Sequence, residues 1–266
     1  MRYVTTHCVV WRLLTLRKIF SRQRCSIVLA AMPKSGSTFL SRSLQFITGF
    51  DEHHLAQSYK NIEQELYAPK LIDAYDVGSV TQQHFRANEP NLSLLTAFEI
   101  RPVIVYRNIL DVLVSMRDHL TNEALDNIPG LYPPTNFRQL DSEKQLDFLA
   151  QYAAPWLISF FVSWEKFRAK CQISSLCLYY EDCREDWPAA ISKILDFYDI
   201  LIDPQIVRKQ VEILANKRNG GYRKNVGIKG RGERDLNPSQ IDKISELACC
   251  YPEVDFSPVG IRILGH

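Results

Sequence analysis

Short apolar runs alternate with longer segments of helical periodicity along this chain. Four runs, at residues 26–32, 77–83, 101–106 and 176–180, have the length and composition of buried strands. Apolar strands that alternate with helices are typical of a parallel sheet covered on both faces. The pattern therefore predicts an α/β fold of three layers, with a central parallel sheet flanked by helices.

Apolar residues between these runs recur every three to four positions. Leu40, Leu44 and Ile47 mark the first helix, which ends at Gly49. The same spacing predicts further helices at residues 109–120, 143–170, 191–198, 206–215 and 239–248.

Three segments have prolines that modify this pattern. Residues 51–76 look helical but are broken by Pro69, and the long helix at residues 143–170 is expected to bend near Pro155. Residues 122–142 are rich in proline and lack any period, which predicts a long loop. Loops of that length inside a domain tend to be lids or binding segments.

Composition narrows the class of protein. The chain has 266 residues, 46% of them hydrophobic and 23% charged, which excludes disordered and low-complexity classes. This length suits one large core, so we expect a single domain at residues 26–266. The formal net charge of +2 argues against nucleic acid as a partner, so any anionic ligand must be held by a local site.

Residues 1–25 form a separate basic leader. Its first 24 residues contain six cations and no acid. The simplest interpretation is a solvated leader or an extra helix, and the alternatives are a transit peptide or weak contact with a membrane surface. No run reaches the roughly 20 apolar residues that a transmembrane span needs.

The seven cysteines form no CxxC pair. An odd number without zinc-ligand spacing suits a reduced compartment, so we expect inert thiols, a cytoplasmic location and no metal site.

The segment Met32-Pro-Lys-Ser-Gly-Ser-Thr-Phe39 connects the first predicted strand to the first predicted helix. Backbone N–H groups at a helix N-terminus bind anions, and Gly36 lets a phosphate approach the backbone. Lys34 adds a mobile cation. The sequence therefore predicts a phosphate-binding turn on a P-loop-like fold, and the alternative is a helix that is merely capped by Ser35 or Ser37.

A Walker A loop requires GxxxxGK[ST], and this turn departs from it. Ala31 stands at the first glycine position and Ser37 at the lysine position. A P-loop kinase or nucleotidase therefore becomes an alternative of lower rank.

The segment PKSGSTF resembles the 5′-phosphosulfate loop of the sulfotransferases, which is close to PKSGTTW. The resemblance implies that 3′-phosphoadenosine 5′-phosphosulfate (PAPS) is the donor and that Phe39, where the family has Trp, stacks on adenine. It implies a PAPS-binding set in this turn: Lys34, Ser35, Gly36, Ser37, Thr38 and Phe39.

Two later segments extend the resemblance. Arg107 and, eight residues on, Ser115 are similar to the family's pair for the 3′-phosphate. Tyr180 begins a Tyr-Glu-Asp motif whose Tyr contacts adenine in cytosolic members, whereas Glu181 and Asp182 are expected to be structural.

The glycine-rich basic segment at residues 220–232 is similar to the late RKGxxG motif, which closes over the 3′-phosphate, but departs from it because Asn225 follows the two cations. Glycines and cations together suit an anion. The resemblance implies five contacts to the cofactor from this segment: Arg223, Lys224, Lys229, Gly230 and Arg231.

His84 follows the second predicted strand, at the functional edge of a parallel sheet. It precedes Arg107 by 23 residues, as the family's catalytic His precedes its Arg, although Gln82 replaces the Lys of the family's KTH segment. With a pKa near the ordinary value of about 6.5, His84 would be a competent general base at neutral pH. The resemblance thus implies the catalytic set His84, Lys34 and Ser115.

The implied activity is metal-free transfer of a sulfuryl group from PAPS to a hydroxyl or amine of an acceptor, which is a small molecule, a carbohydrate or a lipid. Tyr132 and Phe137 of the long loop, with Trp156 and Trp164, are candidates for the acceptor pocket, although core packing explains the two tryptophans equally well. A non-catalytic nucleotide-binding protein on the same fold remains an alternative.

Overall fold

Five strands form the centre of the part of the protein that the structure describes. This computed structural model describes residues 26–58, 63–74, 77–123, 128, 131–170, 173–216 and 229–262. The strands are β1 (Ser26–Ala31), β2 (Asp51–Glu52), β3 (Ser79–Gln83), β4 (Val103–Tyr106) and β5 (Leu176–Tyr179). All neighbouring strands are parallel, in the order β2-β3-β1-β4-β5. The predicted fold class is therefore confirmed.

Helices cover both faces of this sheet. In chain order they are α1 (Ser37–Thr48), α2 (Ala68–Ala74), α3 (Glu89–Ala97), α4 (Ile109–Asn122), α5 (Ser142–Tyr152), α6 (Ala154–Ala169), α7 (Tyr180–Glu185), α8 (Trp187–Phe197), α9 (Pro204–Asn216), α10 (Arg231–Asp235) and α11 (Pro238–Cys249). Within the described ranges, none of them is long and apolar enough to cross a membrane. The basic leader at residues 1–25 lies outside the described residues, as do Arg223 and Lys224.

The sequence predicted most of these elements but not the helices α3, α7 and α10, and two segments differ from what was expected. The helical expectation for residues 51–76 was wrong, because β2 opens this segment and α2 begins only at Ala68. Pro69 lies in the first turn of α2, where its missing N–H costs no helical hydrogen bond. The predicted long helix divides at Ala153 into α5 and α6, close to the bend expected at Pro155.

The side chains of β1 alternate between two apolar cores. Ile27 and Leu29 belong to the core that contains residues of α1, α8 and α9, and Val28 and Ala30 belong to the larger core that contains residues of α4 and α6. All four are fully buried, as expected for a central parallel strand. Apolar packing on both faces thus holds β1 in place as the central strand of the sheet.

The strand order changes direction at β1, which lies between β3 and β4. In open parallel sheets such a change leaves a crevice at the carboxyl ends of the strands, where ligands bind. The residues that follow β1, β3 and β4 therefore converge on one edge.

The hydroxyl of Tyr198 provides a hydrogen-bond acceptor for β1 near its amino end, where β4 does not pair with it. β4 pairs with β1 only from Leu29 onward, and Tyr198 accepts a hydrogen bond from the N–H of Val28 at 3.0 Å. The same hydroxyl donates to the carbonyl of Arg101 at 2.5 Å.

We predict that Tyr198→Phe destabilises the protein by about 1–3 kcal/mol, because it leaves a buried N–H without an acceptor. Tyr152→Phe, which removes an exposed hydroxyl, is the matched control and should change stability by less than about 0.5 kcal/mol. Urea unfolding monitored by circular dichroism measures both. Equal midpoints for the two variants would contradict this role of Tyr198.

Candidate active site

The turn between β1 and α1 has an unusual backbone. Lys34 and Gly36 have positive φ angles of 63° and 75°. Such an angle is uncommon for a residue with a side chain, and positions of this kind cluster at functional sites. The N–H of Ser35 donates to the carbonyl of Met32 at 3.3 Å, which closes the turn against the end of the strand.

The N-terminus of α1 has no side-chain cap. Its N-cap residue is Gly36, and the Oγ atom of Ser35 is buried without a hydrogen-bond partner. The alternative of a helix capped by Ser35 or Ser37 is therefore wrong. An uncapped helix N-terminus with a buried hydroxyl beside it is suited to bind the oxygens of a phosphate.

Arg107 follows β4 and holds this turn from the neighbouring strand. Its Nη1 donates to the carbonyl of Lys34 at 2.6 Å, and its Nε is buried without a partner. The side chain is only 6% exposed, and this burial lowers the pKa of Arg107. A guanidinium with one unused N–H next to an uncapped helix can take a second anionic group.

Ser115, the predicted partner of Arg107, lies in α4 and is 2% exposed. The role of Ser115 toward a phosphate or in catalysis stays a prediction. Glu181 is structural, as expected, because its Oε1 accepts the backbone N–H of Asn108 at 3.0 Å.

Three aromatic side chains surround Gly36. The guanidinium of Arg107 lies 4.3 Å from the ring centre of Tyr180, and the rings of Phe39 and Trp187 are 4.8 Å apart. A Cβ atom at position 36 would lie 2.8 Å from Trp187 and 3.0 Å from Tyr180. The structure thus brings Phe39 and Tyr180 to the turn. It adds Trp187, which no sequence motif had indicated.

His84 follows β3 and faces the end of β1. Its Nδ1 lies 2.7 Å from the carbonyl oxygen of Ala31, so Nδ1 carries the proton and donates it to that oxygen. The Nε2 atom is left as an acceptor, 3.3 Å from the amide nitrogen of Gln82. Gln64, which the sequence analysis missed, accepts the backbone N–H of His84 at 2.8 Å. These contacts fix the ring in the tautomer that a base requires.

The pKa expected for His84 from the sequence was wrong. Burial, together with the positive charge of Lys34, lowers the pKa to about 4 despite the hydrogen bond to Ala31. The sequence expectation of about 6.5 assumed an exposed ring. His84 is therefore neutral at physiological pH, and Lys34 is close enough to influence it.

The segment at residues 229–235 is fastened to α4 by Asp111. The carboxylate of Asp111 accepts the backbone N–H groups of Gly230 at 3.0 Å and of Gly232 at 2.7 Å. A Cβ atom on Gly232 would lie 2.3 Å from Leu110, so only glycine allows this close approach. No motif in the sequence had indicated this role of Asp111.

The cations of this segment have carboxylate partners. Lys229 pairs with Glu185 at 2.5 Å, and Arg231 pairs with Asp118 at 2.7 Å. The charge of Arg231 also acts on the pKa of Arg107, which places the two guanidinium groups in the same region. Contacts of Lys229, Gly230 and Arg231 with a phosphate stay predictions.

The structure separates the candidates for the acceptor pocket. Trp164 and Phe137 are fully buried and belong to the core, so they do not line a pocket. Trp156 is half-buried and its indole N–H donates to the carboxylate of Glu63 at 2.9 Å, whereas Tyr132 is 72% exposed. Among the described residues there is no group of three or more His, Cys, Asp or Glu side chains placed to hold a metal ion.

Comparison with known families identifies the family of this chain. Residues 25–220 match the model of the sulfotransferase domain. The chain belongs to the sulfotransferase family. The comparison with curated protein sequences found no match.

Solved structures with the same fold include two that contain the nucleotide PAP (3′-phosphoadenosine 5′-phosphate). A mouse sulfotransferase, SULT7A1, complexed with PAP is 18% identical to this chain. The TM-score is 0.58, and the match covers 89% of this chain and 91% of that chain. Retinol dehydratase in a complex with retinol and PAP is 16% identical, with a TM-score of 0.59 over 88% of this chain and 83% of that chain. At this level of identity, the two structures show that the present sulfotransferase shares their fold.

The contacts of Gly36 predict that Gly36→Ala abolishes nucleotide binding by the sulfotransferase. The new Cβ would enter the aromatic cluster and would also strain a backbone with φ of 75°. Gly49→Ala is the matched control at the other end of α1, with φ of 70° but no atom within 4 Å of the added Cβ.

Both variants should lose about 1–2 kcal/mol of stability from backbone strain, and only Gly36→Ala should also lose binding. Thermal unfolding and calorimetric titration with PAP measure the two effects. Normal binding of PAP by Gly36→Ala would contradict the close packing of Gly36.

Proposed function

We propose that this sulfotransferase moves a sulfuryl group from PAPS to a hydroxyl or amine of an acceptor. The observation that carries the proposal is the junction of the turn and Arg107. A hydrogen bond joins Arg107 to the carbonyl of Lys34 in the turn, and each of the two segments has a buried polar atom without a partner, Ser35 Oγ and Arg107 Nε. A nucleotide with two phosphate groups would give both atoms a hydrogen-bond partner.

The turn suits the 5′ end of such a nucleotide. The N–H groups of Gly36, Ser37 and Thr38 lie in the first turn of an uncapped helix, where backbone N–H groups lack intrahelical acceptors. Ser35 Oγ adds a buried hydroxyl, and Lys34 adds a charge that stabilises a leaving phosphate oxygen. The family membership and the PAP complexes of two proteins with the same fold support PAP as the nucleotide that remains.

Arg107 suits the 3′-phosphate. Its guanidinium is fixed by the carbonyl of Lys34 and by the ring of Tyr180, so little side-chain entropy is lost when it binds an anion. Ser115 and the cations at residues 223–231 are proposed to complete this subsite, since Asp111 fastens the end of that segment to α4.

His84 is proposed as the base. The hydrogen bond to Ala31 directs the lone pair of Nε2 away from β1, and the lowered pKa keeps the imidazole neutral at pH 7. His84 would take the proton of the acceptor as the acceptor oxygen or nitrogen attacks sulfur. PAPS, when bound, supplies the sulfuryl group and a stable leaving nucleotide.

The proposal includes a location and a class of acceptor. The cysteines that the structure describes are free thiols, which agrees with the proposed cytoplasmic location. A hydroxyl-bearing small molecule, carbohydrate or lipid is proposed as the acceptor on the basis of the family alone.

We predict that His84→Ala lowers the rate of sulfuryl transfer about 10²–10⁴-fold and leaves the affinity for PAP within about twofold. The exposed His54 provides the control variant His54→Ala, which should transfer at the normal rate. Transfer of radioactive sulfate from labelled PAPS to a panel of hydroxyl compounds measures the rate. Normal transfer by His84→Ala would remove His84 from the mechanism.

The pKa of His84 also predicts the dependence on pH. The acid limb of kcat/KM should lie near pH 4 rather than near pH 6.5, because this limb reports the base in the free enzyme. The folded state binds fewer protons at His84 than the unfolded state between about pH 4 and 6.5, so acid in this window should destabilise the protein. His84→Gln should reduce that loss of stability. An acid limb near pH 6.5 that disappears in His84→Gln would contradict the buried, neutral imidazole.

We predict that Arg107→Lys lowers the ratio of the affinities for PAP and AMP at least tenfold. Lysine lacks the second fixed N–H donor with which arginine can bind the 3′-phosphate. The affinity for AMP should change little, because the lysine ammonium can still donate to the carbonyl of Lys34 that Arg107 contacts. Arg101→Lys, at a half-exposed arginine that pairs with Asp199, is the control and should keep the normal preference. Calorimetric titration gives all the affinities, and an equal loss for PAP and AMP would contradict the assignment of the 3′-phosphate to Arg107.

A further inference from the structure

Trp187 lies outside all four motifs that indicated the nucleotide site, yet it contacts the phosphate-binding turn. It is the first residue of α8, and its indole is the nearest side chain to a Cβ atom added at Gly36, at 2.8 Å. Its ring centre is 4.8 Å from that of Phe39 and 6.1 Å from that of Tyr180. Trp187 therefore lies next to both aromatic residues that the resemblance assigned to adenine.

The positions of the two anion subsites restrict where a nucleobase can lie. One subsite is the N-terminus of α1, and the other is at Arg107, whose guanidinium stacks on Tyr180. A nucleoside that joins two phosphates at these points must place its base within reach of the rings around Gly36. Trp187 presents the largest of these rings, and a larger ring offers more stacking area.

The local structure holds the indole at this place without burying it. Asp186 caps α8 by accepting the N–H of Ala189 at 3.0 Å, and Pro188 follows Trp187 in the first turn. The backbone of Trp187 is thus fixed, while its side chain is only half-buried. Trp164 is different, since it is fully buried and donates its indole N–H to the carbonyl of Phe85 at 3.1 Å. Trp164 has a core role, whereas Trp187 keeps an exposed part that can contact a ligand.

We propose that Trp187 is the main stacking surface for the purine and makes the site select purine over pyrimidine nucleoside 3′,5′-bisphosphates. The proposal rests on the proposed function. It assigns to Trp187 a contact that Phe39 alone makes weakly, because the phenyl ring is smaller than the indole.

Neighbouring contacts connect this surface to the second phosphate subsite. Glu185, two residues before Trp187, pairs with Lys229, and Lys229 adjoins Gly230, which Asp111 holds. The segment that leads to Trp187 is thus joined to residues 229–232, which are held against α4 by Asp111.

The experiment compares PAP with cytidine 3′,5′-bisphosphate, which has both phosphates and a smaller base. Calorimetric titration of wild type, Trp187→Ala and Trp187→Phe gives the affinities. Trp187→Ala should weaken PAP about ten- to hundredfold and the cytidine compound only severalfold, and Trp187→Phe should restore most of the affinity. Tyr152→Ala, at an exposed aromatic residue, is the control and should bind both as wild type does.

Tryptophan fluorescence provides a second readout. PAP should change the emission of wild type, and this change should be absent from Trp187→Phe, which keeps the other three of the four tryptophans. This arm decides the question if Trp187→Ala does not fold.

Three outcomes would overturn the proposal. Unchanged affinities in Trp187→Ala or a persistent fluorescence change in Trp187→Phe would exclude stacking on Trp187, and equal losses for the two bisphosphates would exclude purine selection by Trp187, while the proposed function stands. Failure of wild type to bind PAP at all would instead overturn the proposed function together with this inference.

Discussion

The hydrogen bond from Arg107 to the carbonyl of Lys34 is the contact on which the nucleotide site depends. It joins the end of β4 to the turn that follows β1, and it holds a lysine at a positive φ angle that the residue would not otherwise prefer. With the turn held in this form, Gly36 becomes the N-cap of α1 and the helix begins without a side-chain cap. The same guanidinium stacks on Tyr180, so one side chain connects the backbone of the turn to the aromatic cluster.

A second contact at the same edge of the sheet sets the tautomer of His84. His84 donates its Nδ1 proton to the carbonyl at the end of β1, which leaves Nε2 as the basic atom. Burial lowers the basicity of this atom and also guarantees that it is unprotonated at neutral pH. The ends of β1, β3 and β4 thus contribute the turn, the proposed base His84 and Arg107, as the change of strand direction at β1 allows.

The sequence predicted those parts of the protein that follow from local pattern. Strands and helices with clear periodicity, and motifs at strand ends, could be placed because parallel topology brings strand ends together. Trp187, Gln64 and Asp111 were missed because their roles depend on contacts between residues distant in the chain. The helical expectation at residues 51–76 failed because it rested on local pattern alone, whereas Asp51 and Glu52 pair with the distant strand β3. The pKa of His84 was misjudged since burial cannot be read from a motif.

The central claim is that the turn and Arg107 form one site for a nucleotide with phosphates at both the 5′ and 3′ positions. Calorimetric titration of the purified wild-type protein with PAP, AMP and ATP, without and then with magnesium, tests it most directly. We expect tight binding of PAP without magnesium and much weaker binding of AMP and ATP. A preference for ATP that requires magnesium would contradict it and would indicate phosphoryl transfer instead.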